Sequence, residues 1–155
     1  INNLFNLIDE FYNEFKDKAD RNNLKIRHYG SRKKLSKNLL KIIDNVTEKT
    51  KSNNGTTVNL LFNYGSRQEI RDAIAKIKNL NTSNYNFKKY LYIPESRDPD
   101  LIIRTGGELR LSNFMLWQSA YSELYFTKVL WPDFKIRNLR NALDNYTRRT
   151  RKLGK

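Results

Sequence analysis

The chain of 155 residues and 18.5 kDa is 38% hydrophobic, enough for one modest core and too short for two ordinary domains. Thirty Lys and Arg against sixteen Asp and Glu leave a formal charge of +14, which points to an anionic partner: nucleic acid, a phosphate-bearing substrate or acidic lipid. The lack of cysteine excludes disulfides, thiolate nucleophiles and Cys-based zinc sites, and the single His28 excludes a multi-histidine metal centre, so a divalent metal must sit on oxygen ligands, which favours magnesium.

The chain opens Ile1-Asn2-Asn3 without a methionine and passes straight into Leu4, Phe5, Ile8, Phe11, Tyr12, Phe15 and Ala19, whose three-and-four spacing predicts a helix with one apolar face. This start is the expectation for a piece of something longer. Leu24 to Tyr29 alternates apolar and basic residues up to Gly30 and reads as a short strand. Ser31 is the expected cap of a second helix with Leu35, Leu39, Ile42, Ile43 and Val46 on one stripe and Arg32, Lys33, Lys34, Lys37 and Lys41 opposite, ending in the turn Ser52-Asn53-Asn54-Gly55. Thr57 to Gly65 is an apolar run suited to a buried strand, followed by a helix with Ile70, Ala73, Ile74 and Ile77 inward.

After an irregular stretch from Asn79 to Asn86, Asp100 to Arg104 forms a third predicted strand running into Thr105-Gly106-Gly107-Glu108. A helix from Asn113 to Tyr121, a strand around Leu124 to Phe126 and a basic helix from Ile136 to about Arg151 complete the pattern. Strands alternating with helices predict an α/β fold: a parallel β-sheet with helices on both faces. Basic charge is concentrated in residues 21–51, with ten basic and two acidic residues, and in 128–155, with nine and two.

In such a sheet the ligand site lies at the carboxyl ends of strands, the position of Arg104 to Ser112. Two adjacent glycines are expected to expose N–H donors, Arg104 and Arg110 to offer forked donors, and Ser112 to cap the following helix or donate to the same anion. Together they compose a phosphate or diphosphate cradle, although each element alone is common for structural reasons.

The run Ile103-Arg104-Thr105-Gly106-Gly107-Glu108-Leu109-Arg110-Leu111-Ser112-Asn113-Phe114, followed by Leu116-Trp117-Gln118, Tyr121, Glu123-Leu124-Tyr125-Phe126 and Trp131-Pro132-Asp133-Phe134, closely resembles the cis-prenyltransferases, of the undecaprenyl diphosphate synthase type. The resemblance extends to Asn59-Leu60, Asn63-Tyr64-Gly65 and Arg67, and more weakly to residues 23–30, and so covers most of the chain. It implies an enzyme that condenses isopentenyl diphosphate onto an allylic diphosphate such as farnesyl diphosphate in the cis configuration, making a long polyprenyl diphosphate, as a homodimer with Mg2+.

By the resemblance, Arg104, Arg110 and Ser112 bind isopentenyl diphosphate, the Leu111 backbone contributes between them, and Glu123 supports magnesium or its waters. Taken alone, Glu123 reads as a carboxylate paired with a neighbouring Arg. Asn59, Asn63 and Arg67 are expected to shape the strand-to-helix turn. Leu109 stands where some relatives carry His and offers no metal ligand, Ser66 replaces a frequent second Gly, and Arg151-Lys152-Leu153-Gly154 approximates a tail that reaches the partner subunit.

The family's Asp-Gly-Asn-Gly-Arg-Trp loop, which supplies the catalytic, metal-binding Asp and the allylic pocket, has no counterpart here, nor do the first two strands. The expectation is therefore one N-terminally incomplete domain over 1–155. An apolar tunnel for the product is implied, with Phe5, Ile8, Phe11, Tyr12, Phe15, Leu60 and Phe62 as lining residues or ordinary core.

Apolar runs of only a few residues and the lack of a legible targeting segment predict a cytoplasmic protein. Its basic final helix is suited to peripheral membrane contact, or else is a docked helix with a solvated face. Two alternatives stand beside the enzyme: a non-catalytic partner subunit lacking the allylic loop, and a basic nucleic-acid-binding domain. The last rests on charge alone, without an aromatic RNA-binding signature or zinc finger, and no nucleic-acid partner is expected.

Overall fold

The computed structural model describes residues 18–78 and 86–151, which divide between two units, Ile1–Tyr64 and Gly65–Lys155. The predicted Phe-rich face from Leu4 to Phe15, most of the irregular stretch after Asn79 and the tail from Lys152 lie outside the described residues.

In the first unit a parallel pair is formed by β1 (Lys25–Tyr29) and β2 (Thr57–Leu61), in register from Lys25 opposite Thr57 to Tyr29 opposite Leu61. Parallel neighbours require a crossover, and α1 (Lys37–Lys49) supplies it. Leu39, Ile42, Ile43 and Val46 recur at helical spacing and bury with Ala19 and Ile26, while Leu24, Leu35, Val58, Leu60 and Phe62 pack around them. Leu60 and Phe62 thus join the core of this unit. Thr50 ties the end of α1 to β1: its hydroxyl donates to Val46 O at 2.9 Å and accepts from Ile26 N at 3.0 Å.

The start of α1 differs from expectation. Ser36, not Ser31, is its cap, accepting from Leu39 N at 3.1 Å. The reason lies upstream: Lys34 is left-handed (φ +66°), and Asn63 Nδ2 donates to Ser31 O and Lys33 O at 2.7 and 3.1 Å, occupying carbonyls an earlier helix would use.

The second unit holds α2 (Ser66–Lys78), a 3-10 turn (Phe87–Tyr90), β3 (Leu101–Arg104), β4 (Glu123–Phe126), a second 3-10 turn (Trp131–Asp133) and α3 (Ile136–Thr147). Strands β3 and β4 pair in parallel, with Leu101 opposite Glu123 and Arg104 opposite Phe126. The described strands are thus grouped as two parallel pairs, one in each unit.

Three predicted features of this unit are revised. The buried side of α2 is Ser66, Glu69 and Ala73, with Ile74 left 54% exposed, because Glu69 is turned inward to accept hydrogen bonds from Tyr92 N and Gln118 Nε2. Residues 113–121 are a succession of turns and not a helix, since Ser112, Asn113 and Met115 all have positive φ. The last helix stops at Thr147: Arg149 and Arg151 reach back to Glu123 and Asp100 at 2.6 and 2.7 Å, and Arg151 lies over the Tyr146 ring at 5.2 Å. In α3, Ala142 is buried while Ile136 and Leu143 remain exposed. No helix among the described residues is long and apolar enough to cross a membrane.

Candidate anion-binding site

Arg104 is the last residue of β3, and the chain beyond it keeps company with the continuation of β4: Thr127 N donates to Arg104 O, Gly107 N to Thr127 O and Gly106 N to Val129 O, each at 2.9 Å. The two glycines have φ of +88° and +81°, a left-handed turn that ordinary side chains resist. Their amides, expected to face an anion, are therefore committed to the Thr127 and Val129 carbonyls. What the turn contributes is direction, sending residues 108–112 back across the strand end.

That return brings Arg104, Arg110 and Ser112 together. Arg104 Nη1 donates to Ser112 Oγ at 3.0 Å and also to the Arg110 carbonyl; Arg110 Nε donates to the same Oγ at 3.1 Å. A serine hydroxyl has two acceptor sites and one proton. With both acceptor sites filled by guanidinium N–H groups, the proton is left to be given outward. Arg110 Nη1 meets Glu108 Oε2, so one of the two positive charges has a carboxylate partner. The arrangement presents forked donors and a hydroxyl proton, the donor set that a phosphate or diphosphate requires. No helix follows Ser112, so the expected helix-dipole contribution is absent here.

Leu111 O accepts from Phe114 N at 3.1 Å, closing the turn, so this carbonyl is already engaged. Leu111 also lines a cavity of about 240 Å³ with Ile102, Ile103, Phe114, Thr105 and Arg104. An apolar space therefore adjoins the guanidinium cluster. A second open groove of about 440 Å³ lies between Ile103, Thr105, Trp131, Phe134, Lys135, Ile136 and Leu139.

Glu123 stands elsewhere. It pairs with Leu101 at the opening of the strand pair, three positions from the Arg104–Phe126 end, or roughly 10 Å at about 3.3 Å per residue. Its Oε2 accepts from Arg149 Nη1 at 2.6 Å, and the same nitrogen donates to Leu124 O at 3.0 Å. Among the described residues no group of three or more His, Asp or Glu side chains is placed to hold a metal ion. A magnesium ion carried by a diphosphate needs only one or two protein carboxylates, the rest of its shell being phosphate oxygens and water. Glu123 and its neighbour Asp100, whose carbonyl accepts from Glu123 N at 2.9 Å, are the carboxylates at that end of the strand pair, and each is engaged by an arginine, Arg149 and Arg151.

The first unit contributes a separate charged cluster. Arg32 donates from Nη1 and Nη2 to the two oxygens of Asp44 at 2.8 Å each, which holds the Asp44 carboxyl below its usual range. His28 Nε2 lies 3.1 Å from Phe62 O, and burial pushes its pKa below the ordinary imidazole value. Asn63 holds the segment between β1 and α1 through its bonds to Ser31 O and Lys33 O. Arg67 donates its backbone N–H to Asn113 Oδ1 at 2.8 Å, and neither Glu108 nor Asn113 was marked for a role by sequence pattern alone.

Comparison with known proteins places this geometry in context. The family model described as putative undecaprenyl diphosphate synthase matches residues 1–154. The isoprenyl transferase of Thermotoga maritima is 47% identical over 141 residues, covering 86% of this chain and 60% of the relative. That of Rickettsia bellii is 43% identical over 155 residues, covering 98% of this chain and 69% of the relative. The chain thus spans about two thirds of the length of these curated relatives. Among solved structures, a probable undecaprenyl diphosphate synthase from Campylobacter jejuni superposes with a TM-score of 0.90 at 35% identity, covering 100% of this chain and 74% of that one. Lavandulyl diphosphate synthase from Lavandula x intermedia, in complex with dimethylallyl diphosphate, gives 0.91 at 30% identity, covering 98% and 70%.

Proposed function

The chain belongs to the undecaprenyl diphosphate synthase family of isoprenyl transferases, and on that premise we propose that it carries the isopentenyl diphosphate half of a cis-prenyltransferase. In the whole protein, isopentenyl diphosphate is condensed onto an allylic diphosphate, such as farnesyl diphosphate, to extend a polyprenyl diphosphate. The observation that carries this reading is the convergence of Arg104 Nη1 and Arg110 Nε on Ser112 Oγ at the carboxyl end of β3.

In this reading the two guanidinium groups and the Ser112 proton take the diphosphate, a concentrated charge suited to forked donors. The five-carbon tail enters the adjoining cavity beside Ile102, Leu111 and Phe114. The substrate is thereby oriented by its charged end, which converts binding energy into placement of the reacting carbons. A relative solved with dimethylallyl diphosphate supports an allylic diphosphate as the second substrate. If bound, magnesium would supply charge neutralisation for the diphosphates, and Glu123, at the other end of the β3–β4 pair from Arg104, is the carboxylate proposed to hold the ion or its waters.

A homodimer is proposed on the exposed apolar surface of the second unit, where Leu130, Trp131 and Ile136 are 61%, 75% and 64% exposed. Peripheral contact with an anionic membrane is proposed for the Arg137 and Arg140 side of α3, the more distal Arg149 and Arg151 being engaged with Glu123 and Asp100. The function is tested by incubating the full-length protein with farnesyl diphosphate, labelled isopentenyl diphosphate and Mg2+. Magnesium-dependent formation of labelled polyprenyl diphosphate is expected; absence of transfer with both diphosphates bound would contradict it.

A further inference from the structure

The segment after Arg110 is fastened along the first turn of α2. A helix N-terminus leaves its first amides without intrahelical partners, and Asn113 takes two of them: Ser66 N donates to Asn113 O and Arg67 N to Asn113 Oδ1, both at 2.8 Å. The fully buried Ser66 reciprocates, its Oγ accepting from Leu116 N at 3.0 Å. Farther along, Gln118 Nε2 donates to Glu69 Oε1 and Oε2 at 3.1 and 3.2 Å, both residues being buried. The approach is close enough that a Cβ on Gly65 would lie 2.8 Å from Asn113 Nδ2.

These contacts coincide with unusual backbone. Ser112, Asn113 and Met115 have φ of +48°, +65° and +46°. Non-glycine residues rarely adopt such values, and a cluster of them persists only where the surroundings over-determine it. The hydrogen bonds to Ser66, Arg67 and Glu69 are those surroundings. Asn is suited to the central position because it tolerates the left-handed region and also carries an acceptor.

We infer that Asn113 is a positioning residue for diphosphate binding: by capping α2 across 46 residues of sequence, it fixes the left-handed turn that holds Ser112 Oγ between Arg104 and Arg110. It acts through Ser112 and touches no reacting group. The inference rests on the reading of Arg104, Arg110 and Ser112 as the diphosphate site.

The test compares Asn113→Ala, Asn113→Asp and Arg104→Ala in the full-length protein, by calorimetric titration with inorganic pyrophosphate and by steady-state kinetics in isopentenyl diphosphate. Asn113→Ala is expected to weaken pyrophosphate binding and raise KM roughly tenfold, with kcat changed less than about threefold, as for loss of a well-made hydrogen bond acting on binding. Asn113→Asp keeps both the acceptor and the backbone tolerance and is expected to retain most of the wild-type affinity. Wild-type affinity in Asn113→Ala, with Arg104→Ala weakened, overturns the inference and leaves the site standing. Unchanged binding in Arg104→Ala overturns the site reading itself. Should Asn113→Ala fail to fold, Asn113→Gly, which removes the side-chain bond to Arg67 N while keeping the left-handed backbone accessible, is titrated instead: weakened binding supports the inference and wild-type affinity overturns it.

Discussion

Arg104 and Ser112, eight residues apart, meet where Arg104 Nη1 donates to Ser112 Oγ at 3.0 Å, and Arg110 Nε reaches the same oxygen at 3.1 Å. Two like charges drawn to one neutral oxygen repel each other, and an anion set against both relieves that repulsion. The chain meets this geometry by ending β3 at Arg104 and turning back through Gly106 and Gly107.

Glu108 Oε2 pairs with Arg110 Nη1, so on the proposed reading a diphosphate at this place shares or displaces it. Both side chains are at least half exposed, and such pairs contribute about 0.2–1 kcal/mol. Glu108→Gln is therefore expected to tighten pyrophosphate binding modestly, by roughly 1.5- to 5-fold, in a calorimetric titration at low ionic strength. Raising the salt concentration should shrink the difference.

Glu123 has an observed partner in Arg149 and a proposed one in magnesium, and one experiment separates them. As a magnesium-supporting carboxylate, its replacement in Glu123→Gln raises the Mg2+ concentration giving half-maximal turnover by several-fold. If it serves only the ion pair with Arg149, the variant lowers the thermal midpoint by a few degrees and leaves the magnesium titration in place. The account predicts a shifted magnesium titration.

His28 is the only histidine in the sequence, so one imidazole signal reports on it. Burial lowers its pKa below the ordinary value of about 6.5; the Phe62 carbonyl opposes this, Arg32 adds to it and Asp44 opposes it. The folded state then binds fewer protons than the unfolded chain as pH falls through 6.5, so stability is full above that value and declines toward the lowered folded pKa. A proton NMR titration is expected to give a midpoint below 6.5. In denaturant unfolding, the loss of stability between pH 7 and 5.5 is expected to be smaller in His28→Gln than in wild type.

Much of the framework was legible because its signals are local. The apolar stripe Leu39, Ile42, Ile43 and Val46 identified α1, and β2 and α2 follow hydrophobic runs within residues 57–78. Where the structure departs from the local pattern, a side chain arrives from far along the chain. Asn63 occupies the Ser31 and Lys33 carbonyls and delays α1 to Ser36. Asn113 is drawn to the amide of Arg67, and the periodic residues Phe114, Trp117 and Tyr121 then lie on turns instead of a helix.

The same contrast holds within the site. The identities of Arg104, Arg110 and Ser112 were readable from the motif, whereas their common hydrogen-bonding oxygen was not. The glycine amides illustrate the limit: sequence announces a tight turn at Gly106 and Gly107, but only strand pairing reveals that Val129 and Thr127 already hold their N–H groups. With those amides engaged, the donors that remain for the proposed anion are side chains, which substitution reaches without rebuilding the loop.

The most direct test is calorimetric titration of isopentenyl diphosphate into the full-length protein and its Arg104→Ala and Arg110→Ala variants. Each arginine supplies charge-assisted hydrogen bonds of about 1.5–3 kcal/mol, so each variant is predicted to bind roughly 10- to 150-fold more weakly while keeping its fold by circular dichroism. Wild-type affinity in both folded variants would contradict the assignment of this strand end as the diphosphate site.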